Sequence, residues 1–241
     1  MAMNLPHWLV EVVDFLGFNW PEIDEDQMHD AAKHLRSWAD QTAELNKGIH
    51  QRVTVDIAAV YQSQSYLALV DAWGKGSKQH MDELIEIARG IADGIDLLAD
   101  GVVAMKTKVI VQLGIAAGEF VADQAASVAT LGLAETALPL LYEVQNRLLN
   151  MIMQEFENEV VDYVIDHTIG PLLDRVADKI ERLAFTQIAG AAIGPMPPGL
   201  KLDTAEMRRH AGLIQQSALD HQSNGRQLTN GLDSLNYSTG G

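Results

Sequence analysis

Between Met81 and Val109 the chain keeps its apolar residues in two interleaved seven-residue series. Met81, Ala88, Ile95, Val102 and Val109 form the first; Leu84, Ile91, Leu98 and Met105 form the second. A strand alternates its faces every two residues, so this pattern has no use in a sheet. It demands a long helix with one apolar seam, laid side by side with another helix in coiled-coil fashion. Continued unbroken from Tyr66 to about residue 128, that helix would span roughly 95 Å at 1.5 Å per residue. A bend is therefore expected near Gly114 or Gly118.

The rest of the chain repeats the helical period. Leu5, Trp8, Leu9, Val12, Val13 and Leu16 make one stripe over 4–17, and Gly17 stops it. Trp20-Pro21 reads as a short extended hinge, because a residue before proline is pushed out of the helical region. The acidic run Glu22-Ile23-Asp24-Glu25-Asp26 then opens a second helix, over about 24–59, with negative charge at its positive end. Its apolar positions include Met28, Leu35, Trp38, Leu45, Ile49, Val53 and Ile57. A polar break at 61–65 precedes the heptad helix. Thr130-Leu131-Gly132 ends that helix, and a fourth runs over about 135–188, broken or kinked at Gly170-Pro171. The stretch 190–199 (GAAIGPMPPG) holds three prolines and three glycines and is the clearest linker. Asp203 caps a last helix with an apolar seam of Met207, Ala211, Ile214, Ala218, Leu228, Leu232 and Leu235. Residues 237–241 read as a flexible tail. The expected fold is all-α, an elongated bundle of long antiparallel helices. It divides into a helical domain (1–189), a Pro/Gly linker (190–202) and a C-terminal helix with tail (203–241).

Composition narrows the function. A net charge of −16 disfavours nucleic acid and anionic lipid surfaces, which attract basic patches. Without cysteine there is no disulfide framework and no thiolate metal site. The first residues lack a basic n-region, and Glu11 and Asp14 interrupt the apolar run, so no Sec signal peptide is expected. The most apolar region, 109–141, is interrupted by Glu119, Asp123 and Glu135, short of the ~20 clean residues of a membrane span.

Titratable residues fall into solvated stripes. Asp26, His29, Asp30 and His34 share a helix face, but no Glu-x-x-His motif on a second helix completes a metal site. A solvated acidic first turn is the expectation there. Glu155, Glu159, Asp162 and Asp166 form a second acidic face, and His221 sits in the seam of the last helix. No catalytic residue, cofactor site or metal site is assigned, and the chain is expected not to be an enzyme.

The opening segment carries a resemblance. Leu5-Pro6-His7-Trp8, the hinge Gly17-Phe18-Asn19-Trp20-Pro21 and the acidic run Asp24-Glu25-Asp26 resemble the WxG-like N-terminal domain of actinobacterial polymorphic toxins, the CpnT-like N-terminal domain. The likeness is strongest over 4–75. It implies an all-helical, non-catalytic module that carries a protein into type VII secretion, exported without a Sec signal peptide, with a small WxG-type helical partner. Trp8, Trp20, Pro21 and Trp38 then serve as interaction or structural residues.

In small WxG-type proteins a Trp-x-Gly turn joins two antiparallel helices, the ring packing over the tip and the glycine permitting the turn. The matching place here is Tyr61-Gln62-Ser63, where Tyr61 supplies a ring and Ser63 stands for the glycine. Trp73-Gly74 is a literal Trp-Gly pair, but it falls inside the third helix. On the residues alone, 61–65 is equally a plain polar turn. The Tyr-x-x-x-Asp/Glu secretion signal has no copy here: Tyr163 meets Asp166 one residue early, and Tyr142 has Asn146 at the fourth place. A partner would then supply the signal. The rival readings are a stand-alone scaffold, dimeric through the heptads at 81–109, and a membrane-active pore-former using 109–141.

Overall fold

The computed structural model of the chain describes residues 22–61, 66–67, 70–71, 73–130, 147–176 and 203–238, with side chains for all but 75–77 and 116–130. Helix α1 runs Glu25–Gln51 and continues through a π-helical turn, Arg52–Asp56, into Ile57–Val60. A second π-helical turn, Trp73–Lys78, leads into α2, Gln79–Thr130. Helix α3 covers 147–176 and contains π turns at Glu157–Val161 and Ile165–Ile169. Helix α4 runs Thr204–Asp233. The protein is all-α: the described residues contain no strand, only an isolated antiparallel bridge between Ile23 and Ser238. The stripe at 4–17, the hinge Trp20-Pro21 and the linker 190–202 lie outside the described residues.

The chain weaves between two compact units. The first gathers the residues up to Asp30, Gly94–His167 and those from Asn236 on. Its core is Val102, Met105 and Val109 of α2 against Leu149 and Phe156 of α3, with Met28 and Ile152 at the margin. Gly101 sets how close the two helices come. A Cβ there would lie 2.5 Å from Val160 Cγ1 and 3.2 Å from Phe156 Cε2. Asp24 caps α1, its Oδ1 accepting from the Gln27 N–H at 3.0 Å.

The second unit gathers Ala31–Asp93 and Thr168–Leu235. Here α1 and α2 run antiparallel: Arg36 meets Asp93, Asp40 meets Arg89 and Asn46 meets Asp82. Ala39, Ile85 and Ala88 form the centre of that contact, with Trp38, Ala43 and Met81 around it. Helix α4 lies antiparallel along the same α1, Gly231 at His34, Asn224 at Thr42 and Ser217 at Arg52.

The structure revises several expectations. Both heptad series of α2 turn inward in part: Ala88, Val102, Val109 and Met105 are buried and Met81, Leu84, Ile91, Ile95 and Leu98 half-buried, while Ile85, Ala92, Ala99 and Lys106, one residue beyond the second series, are buried as well. A two-stranded seam is narrow; α2 has α1 on one side and α3 on the other, so its buried stripe widens. Helical bonding continues through Gly114 and Gly118 to Thr130. A glycine lowers helix propensity by about 1 kcal/mol, too little to end a packed helix. Gly170-Pro171 likewise sits inside α3. A π turn, Ile165–Ile169, directly precedes it. The acidic first turn of α1 is not wholly solvated, because Glu25 is buried. The seam of α4 differs most: its buried residues are His210, Ser217 and Asn224.

Candidate functional site

At the end of α1, before the polar stretch 62–65, the helix widens. The π turn bonds the Ile57 N–H to the carbonyl of Arg52, five residues back. That extra residue brings Ile57, not Asp56, onto the face that buries Ile49 and Val53. Where four-residue bonding resumes, one carbonyl is skipped. The Tyr66 hydroxyl reaches into this place, donating to Val53 O at 2.9 Å and Thr54 O at 3.2 Å. Burial pushes the Tyr66 hydroxyl above its ordinary pKa. Tyr61, extended and half-buried, sets its ring edge-on to Tyr66 with centroids 6.3 Å apart. Sequence reasoning named Tyr61 as the packing ring and missed Tyr66, which is the buried one. A β-branched Val-Thr-Val run at 53–55 was the available signal for a disturbed turn.

The first unit holds a polar anchor that sequence reading also missed. Lys106 has no exposed side-chain surface, yet its Nζ donates to Glu25 Oε2 at 2.7 Å and to the Ile23 carbonyl at 2.6 Å. The Asp24 N–H donates to Tyr237 O at 2.9 Å, so the segment before α1 is gripped by α2 on one side and by 236–238 on the other. His29 Nδ1 lies 2.7 Å from Asp96 Oδ1. Its neighbours are carboxylates, and among the described residues no three metal-ligating side chains converge.

Between α2 and α3 of this unit lies a shallow cleft of about 60 Å³, walled by Gly101, Met105, Ile152 and Phe156 and bridged by the Lys108–Glu155 ion pair. A more open groove beside it, about 400 Å³, runs past Thr107, Val111 and Gln112. The cleft is far below the 300–1,000 Å³ of a small-molecule site, and the groove that reaches that range is open to solvent. Exposed Ile110, Val111 and Ile115 continue the apolar surface along α2.

Of the residues singled out from sequence, Trp38 packs half-buried beside Ala39 and Ile85. Trp73 is half-buried in its π turn, and its indole N–H finds no hydrogen-bond partner among the described residues. Tyr61 stands at the tip. Trp8, Trp20, Pro21 and Ser63 lie outside the described residues. Glu155, Glu159, Asp162 and Asp166 are exposed. Among the described residues no helix is long and apolar enough to cross a membrane.

A helical hairpin with an aromatic tip is the architecture expected of WxG-type proteins. A family model described as the WXG100 like domain matches residues 2–141. The chain belongs to this family. No curated protein and no solved structure matches it. The WXG100-like match takes in α1, the tip and all of α2. Helix α4 lies outside it, packed on the face of α1 that its polar residues reach.

Proposed function

We propose that the chain is a non-catalytic export and adaptor module of a type VII-secreted protein, similar to the N-terminal targeting domain of CpnT-like toxins, and that it binds a small WxG-type helical partner. The observation that carries this is the WXG100-like match across the whole hairpin, which points to a helical protein of type VII secretion. The described helices supply what such a module needs: a stiff antiparallel hairpin, exposed apolar residues along α2, and an acidic exterior that keeps long apolar seams soluble. Export would then proceed without a Sec signal peptide, through the type VII apparatus.

Two measurements test this. Co-expression with a small helical WxG-type protein encoded beside this one should give a complex that survives purification through a tag on either chain. In a host with a type VII apparatus, the protein should reach the culture medium and stay in the cell when the secretion ATPase is deleted. Failure of both would overturn the reading.

A further inference from the structure

The sequence joins asparagine to glycine twice, at Asn224-Gly225 and Asn230-Gly231. Such a pair reacts slowly with itself in water. The backbone nitrogen of the glycine attacks the side-chain amide carbon and closes a five-membered ring, and glycine, without a Cβ, leaves that approach open. Both pairs fall within α4, Thr204–Asp233. In a helix the glycine N–H points back along the axis to the carbonyl four residues earlier, away from the asparagine side chain. The reaction therefore waits on local opening, and the two sites differ in what opening requires.

Asn224 is 4 % exposed. Its Nδ2 donates to Thr42 Oγ1 at 2.9 Å and to the Trp38 carbonyl at 3.1 Å, so freeing the side chain means parting α4 from α1. Asn230 lies in the last turn of α4 and is exposed, as are Thr229, Asp233 and Ser234 around it. Ser234 closes that turn, its N–H donating to the Asn230 carbonyl at 3.1 Å and its Oγ to the Gly231 carbonyl at 2.7 Å. Helix ends fray, at a small fraction of the free energy needed to expose a buried contact. Packing also holds the reactive partner in place. A Cβ at residue 231 would lie 2.8 Å from His34 Nδ1, so the position keeps its glycine.

We propose that Asn230-Gly231 is a site of spontaneous deamidation, a one-way modification that loosens the end of α4. With the turn open, the Gly231 nitrogen gives up its proton and bonds to Asn230 Cγ. Nδ2 takes up a proton and departs as ammonia, leaving a succinimide. Water then breaks one of the two carbon–nitrogen bonds of the ring. Cleavage at Cγ restores the ordinary backbone with an aspartate; cleavage at the main-chain carbon reroutes the chain through the side chain as isoaspartate. The balance is one water in and one ammonia out, with no oxidant, reductant or enzyme. Either product puts a negative charge at the negative end of the α4 dipole, three residues from Asp233. Isoaspartate also adds a main-chain atom just before Gly231 and displaces the glycine seated on His34. The extent of modification records the time the turn has spent open.

The test ages the full chain in neutral buffer and follows both sites by peptide mass spectrometry, with an isoaspartate methyltransferase assay separating the two products. In the folded protein Asn230 should convert at least about tenfold faster than Asn224, and in urea the two rates should converge, because only the fold distinguishes them. Asn230→Gln, whose longer side chain closes its ring far less readily, should keep the fold and lose the fast event. Asn230→Asp supplies one product at once and should speed hydrogen exchange of the 231–234 amides about threefold while leaving those of 39–46 unchanged. The proposal is overturned if Asn224 converts as fast as Asn230 in the folded chain or if their difference persists in urea. It is equally overturned if Asn230→Asp leaves exchange at 231–234 unchanged.

Discussion

Single residues decide more here than their types suggest. Lys106 occupies a heptad core position and brings a full charge to it, paired with the Glu25 carboxylate and donating a hydrogen bond to the Ile23 carbonyl. Lys106→Met keeps the volume and strands the Glu25 carboxylate. Urea unfolding should register a loss of about 3–5 kcal/mol, most of it recovered when Glu25→Leu is added. His221 shows the opposite case. Burial disfavours its imidazolium and holds its pKa below the ordinary value, with Asp220 opposing only in part. The unfolded chain therefore takes up a proton at His221 below about pH 6.5 that the folded chain resists. Stability should fall on acidification through that range, and His221→Gln should flatten the fall in a series of urea titrations. Lys106 does not announce itself, because a lysine in a long helix reads as solvated; His221 reads from the sequence as a seam residue, but how far it is covered depends on its neighbour.

Elements behave as their period predicts until a neighbour intervenes. The start of α1 and the Asp203 cap fall where caps put them. Asp203 Oδ1 accepts from both Ala205 and Glu206 N–H groups at 3.0 Å. The π turns were not legible, because a π turn is a compromise between a fixed seam and a drifting helix, and only the partner fixes the seam. At Arg52–Asp56 the outcome is the Tyr66 contact at the hairpin tip. Tyr66→Phe removes the donor to two backbone carbonyls and should cost about 1–3 kcal/mol in thermal or urea unfolding, the range for leaving buried acceptors unsatisfied. An unchanged midpoint would mean that water takes over both carbonyls. The apolar seam expected for α4 failed for a related reason. Helical period shows which residues share a face, and it does not show which face a neighbour chooses.

For the whole molecule, the heptads that open the sequence are occupied at home. Ala88, Val102 and Val109 are buried by other parts of the same chain, so a homodimer zipped through 81–109 would have to take the hairpin apart. Sedimentation of the purified protein should therefore give a mass near 26.3 kDa, and a stable dimer at micromolar concentration would mean that another surface associates. Length, heptads, caps and charge alone established a long-helix, all-α, acidic protein, and the motifs around the hinge at residues 17–21 led to its family. Those properties follow from periodicity and backbone chemistry, which are local. Tertiary structure decided the rest: which stripe of α2 is the core, that a lysine lies inside it, that Tyr66 rather than Tyr61 is buried at the tip, and that α4 docks through histidine, serine and asparagine. Each depends on which surfaces meet, and burial is a property of the meeting, not of either surface by itself.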